Sequence, residues 1–238
     1  MTTRSIVFAL SLCAFSTASQ AGIPLASSTF ASSSGFEGNT DGWSALTTTG
    51  SPDWSVVSTF SALLDMDGNP DFSSSIVIYD PDSNWSYFNA PEKFLGDKSA
   101  ASGGTLEFEI SVFTAGSSYA NEAEVVLKGA GLTLTYDATT ELPGAVQPLV
   151  WTHFDIPLSA GSWRVADTFS GPLATNEQLL SVLSDLDALW INGEYYTPVV
   201  EAIALDNVIL SAPVPEPETW ALMLAGLGLV SVIGRYRD

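Results

Sequence analysis

Residues 103–113 read GGTLEFEISVF, and the alternation in this stretch sets the fold class. Leu106, Phe108, Ile110 and Val112 fall on one side of an extended chain, while Thr105, Glu107, Glu109 and Ser111 fall on the other. A period of two with one polar face describes a strand that is half wet, as antiparallel sheets allow. The same reasoning extends in both directions. Val125 to Leu127, followed by Leu132, Leu134 and Tyr136, predicts a hairpin across Gly129-Ala130-Gly131. Val150, Thr152, Phe154 and Ile156 oppose Trp151, His153 and Asp155. Further strands are expected over residues 74–79, 189–195 and 202–210. Short strands parted by Gly, Pro and Asp turns predict an all-β sandwich. One helix interrupts it: Thr175-Asn176-Glu177-Gln178 has the form of a capping box, with Leu179, Leu180, Leu183 and Leu186 following at helical spacing. No internal repeat is evident.

The two ends have a different character. Arg4 precedes an apolar run over residues 6–15, and Ser19-Gln20-Ala21 supplies a small–x–small cleavage pattern, so residues 1–21 are read as a secretory signal peptide. The single cysteine, Cys13, departs with it. The remaining chain contains no thiol nucleophile, thiolate metal site or disulfide, so an exported domain must rely on its core. Residues 22–35 form a Ser-rich leader expected to be flexible, and residues 36–213 form the predicted sandwich. Between the two terminal segments, 24 aspartates and glutamates face four lysines and arginines. That balance excludes nucleic acid and anionic lipid as partners and favours cations.

At the C-terminus, Val214-Pro215-Glu216-Pro217 precedes an apolar run over residues 220–234, and Arg235 and Arg237 follow it. Fifteen residues give roughly 22 Å of helix at about 1.5 Å per residue. This is marginal against a hydrocarbon core of about 30 Å, with the arginines holding the end on the cytoplasmic side. The four-part arrangement over residues 214–238 resembles the PEP-CTERM sorting signal of Gram-negative bacteria. The resemblance implies recognition by an exosortase, a membrane transpeptidase, and transient inner-membrane anchoring through the apolar helix. It also implies delivery to the cell surface or an exopolysaccharide-rich biofilm matrix.

A second resemblance covers residues 54–210. Tyr87-Phe88-Asn89-Ala90-Pro91-Glu92-Lys93-Phe94-Leu95-Gly96-Asp97-Lys98 is similar to the signature of the laminin B domain (laminin domain IV). The order that follows also fits: Gly103-Gly104-Thr105-Leu106, Trp163, the capped helix, Gly193-Glu194-Tyr195 and Leu205-Asp206-Asn207-Val208. The resemblance implies a jelly-roll-like antiparallel β-sandwich of the extracellular matrix without catalysis. The chain lacks the cysteine-rich modules that flank this domain in laminins.

Few residues suggest catalysis. His153 is the only histidine, so a histidine-rich zinc site cannot form. No G-x-S-x-G elbow is present to make a Ser-His-Asp hydrolase. Glycosidases need only two carboxylates, and in so acidic a chain such a pair carries little information. Calcium takes oxygen ligands alone. Glu37, Asn39 and Asp41 open the domain and Asp206 closes it, so these four are the expected ligands of a structural calcium ion. Trp85 and Tyr196 flank polar loops and are the expected sugar-stacking aromatics. The resulting reading is a secreted, non-catalytic matrix module with an extracellular polysaccharide or matrix protein as partner. A polysaccharide hydrolase or lyase on the same scaffold is the alternative.

Overall fold

The computed structural model describes residues 22–28, 30, 40–65, 74–113, 118–119, 122–138, 146–197 and 199–214. The signal peptide and the apolar tail with Arg235 and Arg237 lie outside the described residues. So do Glu37, Asn39, Pro215, Glu216 and Pro217.

Two antiparallel sheets face one another in a jelly-roll-like sandwich. The six-stranded sheet runs β11 (Thr152–Pro157), β7 (Thr105–Val112), β15 (Ala202–Ala212), β5 (Ser75–Tyr79) and β4 (Leu63–Asp65), with β1 (Ile23–Ser28) also paired to β15. The seven-stranded sheet runs β12 (Arg164–Val165), β10 (Leu132–Tyr136), β9 (Val125–Gly129), β13 (Leu186–Asn192), β6 (Trp85–Asn89), β2 (Ser44–Thr48) and β3 (Val56–Phe60). A small pair, β8 (Ser118–Tyr119) with β14 (Tyr196–Thr197), lies apart from both.

The alternation in residues 103–113 appears directly in β7. Leu106, Phe108, Ile110 and Val112 are fully buried, while Glu107 and Glu109 are half-buried on the outer side. On β11, Phe154 and Ile156 enter the same core, and Phe154 stacks on Phe108 with ring centroids 5.0 Å apart. The hairpin between β9 and β10 closes on Ala130 and Gly131, both at positive φ (49° and 73°). That is the two-residue turn whose twist matches the flanking strands.

The helix α1 (Asn176–Ser184) has the expected reciprocal cap. The Gln178 N–H donates to Thr175 Oγ1 at 3.3 Å, and the Thr175 N–H donates to Gln178 Oε1 at 2.9 Å. Leu179, Val182 and Leu183 are buried, whereas Leu180 is exposed and Leu186 belongs to β13. The chain stops being helical at Asp185, whose carbonyl lies where a side chain on Gly129 would collide. Part of the Ser-rich leader is ordered as β1, which pairs along β15 with a bulge between Pro24 and Ala26. Proline lacks the N–H that a regular ladder needs, so the bulge falls there.

Candidate functional site

Of the expected calcium ligands, Asp41 and Asp206 are described. Ser28 pairs with Val208 on β15, two residues beyond Asp206, and the Ser28 hydroxyl donates to Asp41 Oδ2 at 2.8 Å. Asp206 is buried on β15, two residues before the partner of Ser28. A cation already sits on Asp41: the Lys93 ammonium pairs with it and also donates to Ser27 O at 2.6 Å. Asp206 Oδ1 accepts the Asn207 N–H at 2.7 Å, and Asn207, at φ 51°, donates its amide to Glu109 Oε2 at 3.0 Å. Among the described residues, no three His, Cys, Asp or Glu side chains are grouped as a metal site.

Residues at one end of the sandwich make its most unusual electrostatic feature. Asp80 follows β5, Glu194 follows β13, and Glu201 precedes β15, so both sheets contribute a buried carboxylate. Ser86 on β6 serves two of them: its hydroxyl donates to Asp80 Oδ1 at 2.9 Å and its N–H to Glu194 Oε2 at 3.4 Å. The Tyr195 N–H donates to Glu201 Oε2 at 2.7 Å, while Glu201 Oε1 is buried without a hydrogen-bond partner. Burial penalises the charged form. It raises Asp80, and it pushes Glu194 up to about 8, with the charge of Asp80 adding to the effect. Glu201 rises to about 7, again chiefly through burial. Deeper in, burial carries Glu124 to about 8 against the opposing hydrogen bond from Tyr195. Glu124 and Glu194 therefore keep their protons at neutral pH.

Asp80, Asp82 and Glu194 open onto a hollow of about 390 Å³ walled by Tyr196, Val199 and Val200. The half-buried Tyr196 donates its hydroxyl to Val146 O at 3.0 Å. Gly193-Glu194-Tyr195 stands out in the sequence as part of the laminin-like pattern, but the cluster itself does not. The strand ends that converge here are far apart in the chain, and the only local signal was an acidic residue placed where a strand stops.

Trp85 has a different setting. It is half-buried and packs beside Leu46, Trp54, Tyr87, Ala123, Val126 and Trp190, a second apolar cluster on the outer face of the seven-stranded sheet. Trp54, at φ 54°, seals that cluster, with its indole N–H donating to Ala166 O. Lys128 donates to Trp54 O at 2.7 Å and lies 4.2 Å from the centroid of the Trp190 ring. His153 is exposed on β11, opposite Glu109 of β7.

Comparisons with known proteins agree with this architecture. The L4b domain of human laminin alpha-2 superposes with a TM-score of 0.58 at 15% identity, covering 80% of this chain and 99% of that one. The basement membrane proteoglycan of Caenorhabditis elegans is 36% identical over 109 residues, 46% of this chain. Laminin subunit alpha-1 of Mus musculus is 31% identical over 134 residues, 54% of this chain. The aligned parts amount to only 3% and 4% of the lengths of those two proteins. Residues 213–237 match the PEP-CTERM protein-sorting motif. Residues 87–221, more than half of the chain, match Laminin B (Domain IV), and the chain belongs to that family.

Proposed function

We propose that the protein is a non-catalytic module of a bacterial extracellular matrix, exported and processed by an exosortase and retained there by binding polysaccharide or a matrix protein. One observation carries the reading: a laminin B domain runs directly into a sorting motif. The last described strand ends at Ala212 and the motif match begins at residue 213, leaving no linker between them. Processing beyond Val214 would leave every described strand of the sandwich intact. The strongly acidic surface keeps such a module soluble and away from anionic lipid. Among the described residues, no helix is long and apolar enough to cross a membrane. In this reading, anchoring belongs to the tail and is transient. A structural calcium ion held by Glu37, Asn39, Asp41 and Asp206 forms part of the proposal, in competition with Lys93 at Asp41.

Fractionation of the producing cells tests this reading. The full chain is expected in the exopolysaccharide fraction, and a chain lacking residues 214–238 is expected to be lost from it. Identical distributions of the two would contradict the proposal.

A second reading rests on the acidic hollow. Glu194, protonated up to about pH 8, lines it beside Asp80, and a raised carboxyl pKa is what a glycosidase acid requires. Release of reducing ends or unsaturated sugars from matrix polysaccharide, abolished by Glu194→Gln, would establish an enzyme.

A further inference from the structure

A second hollow, of about 250 Å³, lies where β12 closes the seven-stranded sheet. Thr135, Asp137, Ser162, Arg164 and Thr168 supply its polar wall, and Phe169 and Leu173 its apolar one. These groups arrive from separate parts of the chain. Thr135 ends up beside Arg164 through the pairing of β10 with β12.

A short, well-fastened turn over residues 166–171 carries Thr168 and Phe169. The Asp167 carboxylate accepts the N–H groups of Phe169 at 2.9 Å and Ser170 at 2.8 Å. Arg164 Nη1 donates to Gly171 O at 2.7 Å, which fixes the guanidinium against the same turn. Gly171 is close-packed: a side chain there would run into the carbonyl oxygens of Val165 and Asp167. Phe169 on the turn is 50% exposed and Leu173 just beyond it 54%, a costly display of apolar surface unless something covers it. In contrast, Thr168 is only 3% exposed, and its hydroxyl has no hydrogen-bond partner. A buried polar group left unpaired costs about 1–3 kcal/mol.

The combination is chemically selective. A sugar ring presents hydroxyls that both donate and accept, together with an apolar C–H face. Arg164 donates, Asp137 accepts, the Thr and Ser hydroxyls do either, and Phe169 offers a ring face. The volume falls below the roughly 300–1,000 Å³ of ordinary ligand pockets, which suits a single ring in a longer chain. Arg164 is the only cation among the described residues lining the hollow, and Asp137 offsets it. The net charge of −20 repels a polyuronate at long range. We propose that this hollow is the subsite for one neutral pyranose residue of a polysaccharide, and that Phe169, Arg164 and Asp137 are its recognition residues. The assignment rests on the matrix-module reading and names where that module holds its glycan.

Affinity electrophoresis of the full chain tests it, with gels containing a neutral β-glucan, a mannan, polygalacturonate or the producer's own exopolysaccharide. The expected result is retardation by a neutral polymer or by the native exopolysaccharide, weakened at least fivefold in both Phe169→Ala and Asp137→Asn. Val57→Ser, at an exposed position on β3, should leave it unchanged. Phe169 is half exposed, so its removal spares the fold, and matching thermal melts confirm that. Unaltered retardation of both variants would overturn the subsite while leaving glycan binding standing. Retardation by polygalacturonate alone would overturn the neutral-sugar assignment. No retardation by any of the polymers would overturn subsite and glycan binding together.

Discussion

The outer faces of the two sheets are built on opposite plans. The six-stranded sheet turns Glu107, Glu109, His153 and Asp155 outward along β7 and β11, with the last two exposed. The seven-stranded sheet turns Leu46, Tyr87, Val126 and Trp190 outward and then buries them under Trp54 and the turn that carries it. Trp54 and Tyr87 meet edge to face with centroids 6.0 Å apart, and Trp190 donates to Asn89 Oδ1 at 3.1 Å. The β7–β11 part of the first sheet therefore has a single apolar face, whereas the seven-stranded sheet has two. Aromatic side chains on an exterior face are structural wherever a loop covers them, and available to a ligand only at the rim.

The sharpest way to break this contrast is Trp54→Ala. The side chain is 1% exposed, and emptying such a site costs about 3–5 kcal/mol. Urea unfolding should show a loss of that size, and a loss below about 1 kcal/mol would mean that the outer cluster is not sealed.

The acidic end should set the pH dependence of stability. Glu124 and Glu194 keep their protons to about pH 8 and Glu201 to about 7, against an ordinary 4.5. The folded state thus binds protons that the unfolded state has released. This stabilisation is complete below about pH 4.5 and is lost as pH rises through 7 to 8. The melting temperature should fall over that window, and Glu124→Gln should flatten the fall. A midpoint that rises from pH 5 to 9 would contradict the burial of these groups.

Calcium offers a smaller test. Excess calcium is expected to raise the melting temperature, and Asp206→Ala to remove the rise. An unchanged melt would eliminate the ion. The smallest effect belongs to the wet face: His153→Ala should change stability by no more than about 0.5 kcal/mol, which denaturant titration can confirm.

The contrast between the faces also explains what could be read in advance. β7 and β11 were legible because glutamate, histidine and aspartate mark their wet side. The capping box at Thr175 and the turn at Ala130-Gly131 were legible because they are local. β13 was anticipated only from Leu189, whereas it begins at Leu186; both of its faces are apolar, so alternation gave no boundary. For the same reason Trp85 looked as available as any other aromatic, since the loop that partners it is 31 residues upstream at Trp54. The acidic cluster and the hollow at Arg164 depend on long-range pairing of strand ends, which no local pattern encodes.

The most direct measurement is co-sedimentation of the full protein with exopolysaccharide from its own producer, at physiological salt. Saturable retention, competed away by a soluble neutral oligosaccharide, is the expected result. Recovery of the protein entirely in the supernatant, with its fold verified, would contradict it.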